Sequence, residues 1–262
     1  MNWRPRLVAL DIDGTLTPVG SNDISPAVQA AVARAADHGA QIVLCTGRSL
    51  IGTTPIAAQL PSSFALCSNG AVWWDPVRDE ITKRTTFEPG PTIKTLSALL
   101  PGSVFAVERT GVGSLSLGQF LPNDLWGVTA HATFDEIAAV PTPRLVMRWH
   151  DRTPAELAFA VRELELPGVS WTVDHTEPWL TAVPADVTKG AALEELRVSL
   201  GISADDTLAI GDGSNDVEML RWAACGIAMG QAPATVQAAA DSVTGTVLED
   251  GAEQALSRFF PA

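Results

Sequence analysis

Apolar residues in this chain fall into short blocks separated by polar breaks. Leu7-Val8-Ala9-Leu10 is a four-residue block set off by Pro5, and Gln41–Cys45, Phe64–Cys67 and Thr207–Ile210 repeat the form. Continuous apolar runs of that length predict strands buried on both faces, as in a parallel sheet. Between the first two blocks Val28, Ala31, Val32 and Ala35 recur at helical spacing, with Ser25 to cap, Pro26 at the first position and Gly39 to stop the run. The pattern predicts a helix of about thirteen residues and, with its flanking strands, a βαβ unit. Val72–Asp75 and Glu80–Thr82 predict a hairpin around Pro76–Asp79, and Asn69-Gly70 a tight turn before it.

From about Arg84 the texture changes. Pro89, Pro91, Pro101, Pro122, Pro141 and Pro143 punctuate strand-like pieces (Val104–Glu108, Leu115–Leu117, Leu145–Trp149, Val169–Val173) and helical pieces (Thr92–Leu100, Phe134–Ala139, Thr153–Leu164). Such a run predicts a separate α/β domain inserted into the first. After it, Thr207–Ile210, a helix over Val217–Ala224, Gly226–Gly230, a helix over Pro233–Ala240, a strand near Ser242–Val247 and a last helix over Gly251–Phe260 complete the sheet. The expected fold class is α/β, with a Rossmann-like parallel-sheet core formed by 1–84 and 185–262 and an inserted domain at 85–184.

The chemistry gathers where the apolar blocks stop. Leu7–Leu10 runs into Asp11-Ile12-Asp13-Gly14-Thr15, and side chains two apart on a strand share a face, so both acids are expected at the carboxyl end, where open α/β sheets bind ligands. Two like charges there call for a hard cation such as Mg²⁺. A calcium loop is excluded, because Thr15, Val19 and Asn22 stand where such a loop needs its fifth, ninth and closing ligands. Gln41–Cys45 ends in Thr46-Gly47-Arg48, which reads equally as a helix cap or as a hydroxyl and free N–H groups turned toward a phosphate. Thr207–Ile210 ends in Gly211-Asp212-Gly213-Ser214-Asn215-Asp216, an oxygen-rich loop leading into a helix. Lysine is scarce, with Lys83, Lys94 and Lys189 against fourteen arginines, so a point charge is kept at Lys189 where a planar fork is otherwise preferred.

Composition narrows the partners. With 46% hydrophobic and 18% charged residues the chain is of the globular kind. A net charge of −13 argues against nucleic acid or an anionic membrane as a partner, and leaves a small-molecule phosphate ester dependent on local cations. Cys45, Cys67 and Cys225 lie in apolar runs without metal-ligand spacing and read as buried thiols in a reducing compartment. Only four apolar residues precede Asp11, too few for a signal or membrane segment, so a cytoplasmic location is expected, as a monomer or small homo-oligomer.

Taken together, these motifs resemble those of the haloacid dehalogenase (HAD) superfamily. Leu7–Thr17 is similar to its first motif, Thr46-Gly47-Arg48 to its second in the form common in the Cof-type branch, Val187-x-Lys189-Gly190 to its third, and Gly211–Asp216 to its fourth. Ser68-Asn69-Gly70-Ala71 falls where Cof-type phosphatases often carry Asn-Gly-Ala near the substrate, and the insert resembles a C2B cap of subfamily IIB. The resemblance implies a Mg²⁺-dependent phosphatase acting on small phosphate monoesters, sugar phosphates or related metabolites, through an aspartyl-phosphate. Asp11 would be the nucleophile and Asp13 the general acid and base. Asp11, the backbone carbonyl of Asp13 and Asp212 would hold the metal. Thr46, Gly47, Lys189 and Asn215 would bind phosphate, with Asp216 and Asn69 in support. Within the insert, Glu108, Arg109, His131, Arg144, Arg148, His150, Asp174, His175 and Trp179 are candidates to meet the substrate, with Arg148 and His150 on the strand face of Val146. A sugar phosphomutase of the same superfamily, and a non-catalytic phospho-acceptor module, are the rival readings.

Overall fold

The structure is a computed structural model and describes residues 3–261. Strand β1 (Leu7–Leu10) has no exposed residue, and its alternate side chains feed two separate cores. Leu7 and Ala9 face one, Val8 and Leu10 the other. Helix α1 (Pro26–Asp37) is capped by Ser25, whose Oγ accepts from the Val28 N–H at 3.2 Å, and it buries Val28, Ala31, Val32 and Ala35. The chain continues through β2 (Gln41–Cys45), α2 (Leu50–Ala57), β3 (Phe64–Cys67), β4 (Val72–Asp75) and β5 (Glu80–Arg84). The connection from β3 to β4 is not the tight two-residue turn that Asn-Gly predicts. It is a 3₁₀ turn over Ser68–Gly70 with Ser68 and Asn69 both at positive φ, 52° and 55°. The Ser68 N–H bonds to the Arg48 carbonyl at 2.7 Å and the Asn69 N–H to the Thr46 carbonyl at 2.9 Å, so the turn is shaped by the loop after β2.

A second sheet follows. Helix α3 (Pro89–Leu99) leads into β6 (Ser103–Arg109), β7 (Gly113–Leu117), β8 (Val128–His131), α4 (Phe134–Ala138), β9 (Leu145–Trp149), α5 (Pro154–Ala160), β10 (Val169–Val173) and β11 (Trp179–Pro184). The strand order is β10-β11-β9-β6-β7-β8, antiparallel except for the β7–β8 pair. It has its own core, including Ile93, Leu96, Phe105, Val107, Leu145, Met147 and Leu180. Two strands here escape the sequence pattern: β8 sits at an edge with Val128 exposed, and in β11 Thr181 interrupts the apolar residues and Pro184 ends them. Helix α5 stops at Ala160, short of Leu164, although the chain beyond it still packs on the core through the buried Val161 and through Leu164.

The chain then returns through α6 (Lys189–Ser199), β12 (Thr207–Gly211), α7 (Val217–Trp222), β13 (Cys225–Ala228), α8 (Ala234–Gln237), β14 (Ser242–Val243) and α9 (Gly251–Ser257). The first sheet has the order β14-β13-β12-β1-β2-β3-β4-β5, parallel from β14 to β3. Helices α1 and α9 cover one face, α6 and α7 the other. From β1 the chain goes first to β2 on one side and later to β12 on the other, so the strand order reverses at β1. A crevice opens at the carboxyl ends of such strands, where flanking loops diverge. The fold is thus α/β, with a parallel-sheet core and an α/β unit set between β5 and α6. None of its described helices is long and apolar enough to cross a membrane.

Candidate active site

Asp11 follows β1 directly and is 5% exposed. Lys189, at the start of α6, is wholly buried, and its Nζ donates to Asp11 Oδ1 and to Asp216 Oδ1, both at 2.6 Å. The other oxygen of Asp216 accepts the N–H groups of Asp212 at 3.0 Å and Gly213 at 2.9 Å, so Asp216 is spent on holding the loop after β12. Asp212 lies beside them, and among the described residues its carboxylate meets only the Gln231 amide, at 3.3 Å. One carboxylate oxygen from each of Asp11, Asp212 and Asp216 lies within 4.8 Å of the others. At that spacing each ionised pair repels on the order of 3 kcal/mol at an effective dielectric near 20.

A single ammonium does not offset three acids. Burial, then Asp216, push the Asp11 carboxyl well up despite the pull of Lys189. Burial and Asp216 likewise raise Asp212 to about 7, against the Gln231 hydrogen bond. Burial disfavours the Lys189 ammonium, but Asp11 and Asp216 outweigh it and move Lys189 upward. An all-oxygen donor set with excess negative charge fits a hard divalent cation. The Asp212 oxygen not engaged by Gln231, and the lone pair that Lys189 leaves on Asp11 Oδ1, are available to hold it.

Asp13 does not join this cluster through its carboxylate. Strand pairing ends at Leu10, so two-residue alternation no longer governs residues 11–13. The Asp13 carboxylate instead takes a two-pronged bond from Arg48, with Nε and Nη2 each at 2.7 Å. Arg48 donates its remaining protons to Asn22 Oδ1, Gly52 O and Ser21 O, and its guanidinium stacks 5.0 Å from the Trp126 ring. Gly14 is required twice over. Its φ is +80°, and a Cβ there would lie 2.1 Å from Asp212 Oδ2, so only glycine lets the loops after β1 and β12 touch.

Thr46 follows β2, buried, with its Oγ1 accepting from the Arg48 N–H at 3.0 Å. Asn215 donates to Asn69 Oδ1 at 3.0 Å, and both amides come close to Gly47. Asp11, Asp13, Thr46, Gly47, Asn69, Asp212 and Asn215 all line one open cleft of about 280 Å³. Lys189 does not. It lies beneath Asp11 and borders a neighbouring cavity on the far side of Asn215.

The opposite wall of the cleft belongs to the second sheet. Arg144, Arg148, Asp174, His175 and Trp179 stand on it. Arg148 is held by Asp124 at 3.2 Å and Glu177 at 2.7 Å. Glu108 is buried behind Arg144. Three candidates are elsewhere: Arg109 is exposed off the cleft, His131 pairs with Ser116 Oγ at 3.1 Å, and His150 lies past the end of β9, where its ring bonds the Gln119 carbonyl at 3.0 Å. His150 therefore leaves the strand face it was expected to share with Val146 and Arg148.

Sequence reasoning missed Arg48 as the partner of Asp13, although the Thr-Gly-Arg string contains it. It also missed Trp126, Asp124, Glu177 and Gln231, which carry no local signal. Cys45 and Cys67 are buried and Cys225 half-buried, all unpaired, and burial pushes the Cys67 thiol up to about 12.

The sequence profile of the haloacid dehalogenase-like hydrolases matches residues 8–101 and 163–256. The chain is 27% identical to the 5-amino-6-(5-phospho-D-ribitylamino)uracil phosphatase YcsE of Bacillus subtilis, over 96% of this chain and 94% of that protein. It is also 27% identical to the pyridoxal phosphate phosphatase YbhA of Escherichia coli, over 95% and 96%. A haloacid dehalogenase-like hydrolase from Bacteroides thetaiotaomicron superposes with a TM-score of 0.79 at 26% identity, covering 98% of this chain and all of that one. A HAD subclass IIB sugar phosphatase superposes at 0.82 and 23% identity, covering 97% and 98%, a likeness of fold. With matches over most of its length to the profile and to these phosphatases, the chain belongs to the haloacid dehalogenase-like hydrolase family, in its Cof-type phosphatase branch.

Proposed function

We propose that this enzyme hydrolyses small phosphate monoesters, sugar phosphates or related metabolites, through a covalent aspartyl-phosphate on Asp11. The observation that carries the reading is the Lys189 ammonium held at 2.6 Å from both Asp11 and Asp216, beside Asp212, at the end of β1. Lys189 favours the ionised form of Asp11 from below, against burial and Asp216, while occupying one of its oxygens. The other oxygen attacks phosphorus in line, forming the acyl-phosphate bond as the bond to the leaving alcohol breaks. Both Asp13 oxygens accept from Arg48 here, so Asp13 turns out of that bond to carry the proton it gives to the leaving oxygen, and then takes one from the water that opens the acyl-phosphate. Thr46, the Gly47 backbone and Asn215 bind the phosphate oxygens, and Asn69 orients Asn215. Lys189 acts on the phosphate through Asp11, and Asp216 positions both Lys189 and the Asp212 loop. Asp11, the Asp13 backbone carbonyl and Asp212 would hold Mg²⁺, which would supply positive charge to offset carboxylate–phosphate repulsion.

Residues 85–184 serve as a cap whose Arg148, Trp179 and Trp126 meet the leaving group, and the enzyme works in the cytoplasm. The pyridoxal and ribitylaminouracil phosphatases among its relatives support a ring-bearing or polyol alcohol of similar size. Phosphate release from a panel of monoesters, with Mg²⁺ or EDTA, compares the wild type with Asp11→Asn. Metal-dependent release that the substitution abolishes is expected. Release that Asp11→Asn leaves intact would sink the covalent reading.

A further inference from the structure

Glu108 and Arg144 form an ion pair, Nε to Oε2 at 3.6 Å, that belongs to the second sheet yet makes its other contacts in the first. Both are buried, at 4% and 9% exposure, and the Thr142 hydroxyl pins their backbones by donating toward the carbonyls of Glu108 at 3.1 Å and Arg144 at 2.9 Å. Glu108 accepts from the Ser68 hydroxyl and, at 3.4 Å, from the Leu50 N–H. Arg144 Nη1 donates to the Gly47 carbonyl at 3.0 Å. A lone buried ion pair adds little to stability by itself, so its placement against loops of another sheet calls for a different account.

The peptide plane supplies one. In a trans peptide the carbonyl of Gly47 and the N–H of Arg48 point in opposite directions. Arg144 draws the carbonyl toward the second sheet, and the Arg48 N–H therefore turns onto Thr46 Oγ1, where it sits at 3.0 Å. With that lone pair occupied, the Thr46 hydroxyl proton is free to be donated to an anion. Glu108 meanwhile ties Ser68, the neighbour of Asn69, to the start of α2. We infer that Glu108 and Arg144 are a positioning pair that presets Thr46, Gly47 and Asn69 for the substrate phosphate, so that phosphate affinity, whatever the leaving group, depends on docking of the second sheet. The inference rests on the phosphatase reading above.

The test uses inorganic phosphate as a competitive inhibitor and p-nitrophenyl phosphate as substrate, on the full chain. Arg144→Met alone strands a buried carboxylate, so the decisive variant is the double Glu108→Met/Arg144→Met, which removes both charges together. Expected are a folded protein with an inhibition constant for phosphate and a KM each raised about tenfold, and kcat within about threefold, the pattern of lost uniform binding. Arg144→Lys recovers part of the affinity. Hydrogen exchange of the Arg48, Ser49 and Leu50 amides speeds up in the double variant and not at β1. A folded double variant that binds phosphate like the wild type overturns the inference and leaves the phosphatase reading standing. A wild type that neither binds phosphate nor releases it from any ester overturns both.

Discussion

Asp212 is buried beside Asp216 with one amide for a partner, and its carboxyl is raised from 3.8 to about 7. A carboxyl whose folded pKa lies above its unfolded value stabilises the fold below the unfolded pKa, and that contribution is lost as pH rises through the folded one. At pH 5 two of the three units remain, about 3 kcal/mol at 1.36 kcal/mol per unit; at pH 8 essentially none does. Asp11, also shifted up, acts in the same direction. Glu194, held down to about 2 by hydrogen bonds from Arg197 and Trp222, titrates outside this window. Urea unfolding of the EDTA-treated protein, followed by tryptophan fluorescence and circular dichroism, should therefore give lower stability at pH 8 than at pH 5 by at least about 3 kcal/mol. Asp212→Asn should remove the Asp212 share of that difference, about 3 kcal/mol. Mg²⁺ at a hundred times its Kd should restore about 2.7 kcal/mol at pH 8, and less at pH 5, where the proton competes. A flat or rising wild-type profile, or an unchanged slope in Asp212→Asn, would refute the argument that these acids are uncompensated.

Lys189→Met leaves Asp11 and Asp216 buried without their ammonium, so a loss of about 3–5 kcal/mol in urea unfolding is expected together with loss of phosphate release. Gly14→Ala forces a Cβ onto Asp212 at positive φ; the Mg²⁺ concentration for half-maximal activity should rise at least about tenfold, beyond the 1 kcal/mol or so of backbone strain seen in unfolding. Asp13→Asn should lower turnover roughly 10²–10⁴-fold with unchanged circular dichroism. Rapid quench with p-nitrophenyl phosphate, whose leaving group needs no proton, should then trap phosphate on the protein; the absence of a trapped species would argue against Asp13 as the base for its hydrolysis.

The buried strands were legible because a strand covered on both faces must be apolar throughout, and Leu7–Leu10, Gln41–Cys45 and Thr207–Gly211 differ from their expected bounds by at most one residue. The residues that end those strands were legible for a related reason: a charged or glycine-rich break after a buried strand falls at the sheet's carboxyl edge, so Asp11, Thr46 and Asp212 had to share a region. The second sheet was less so, since exposed edge strands such as β8 carry no apolar run, and a helix such as α5 ends before the apolar residues that follow it, Val161 among them, stop packing on the core.

By itself, then, the sequence determined the α/β class, the parallel core and the list of strand-end groups, all of which follow from local periodicity and from what a buried strand excludes. Tertiary structure alone decided how those groups pair. Arg48 reaches Asp13 across 35 positions, Lys189 reaches Asp11 across 178, and Gln231 reaches Gly14 across 217. Nothing in local spacing encodes such contacts. They exist because the sheet order sets β12, β1 and β2 side by side, and burial there draws each charged group to whatever partner lies within reach.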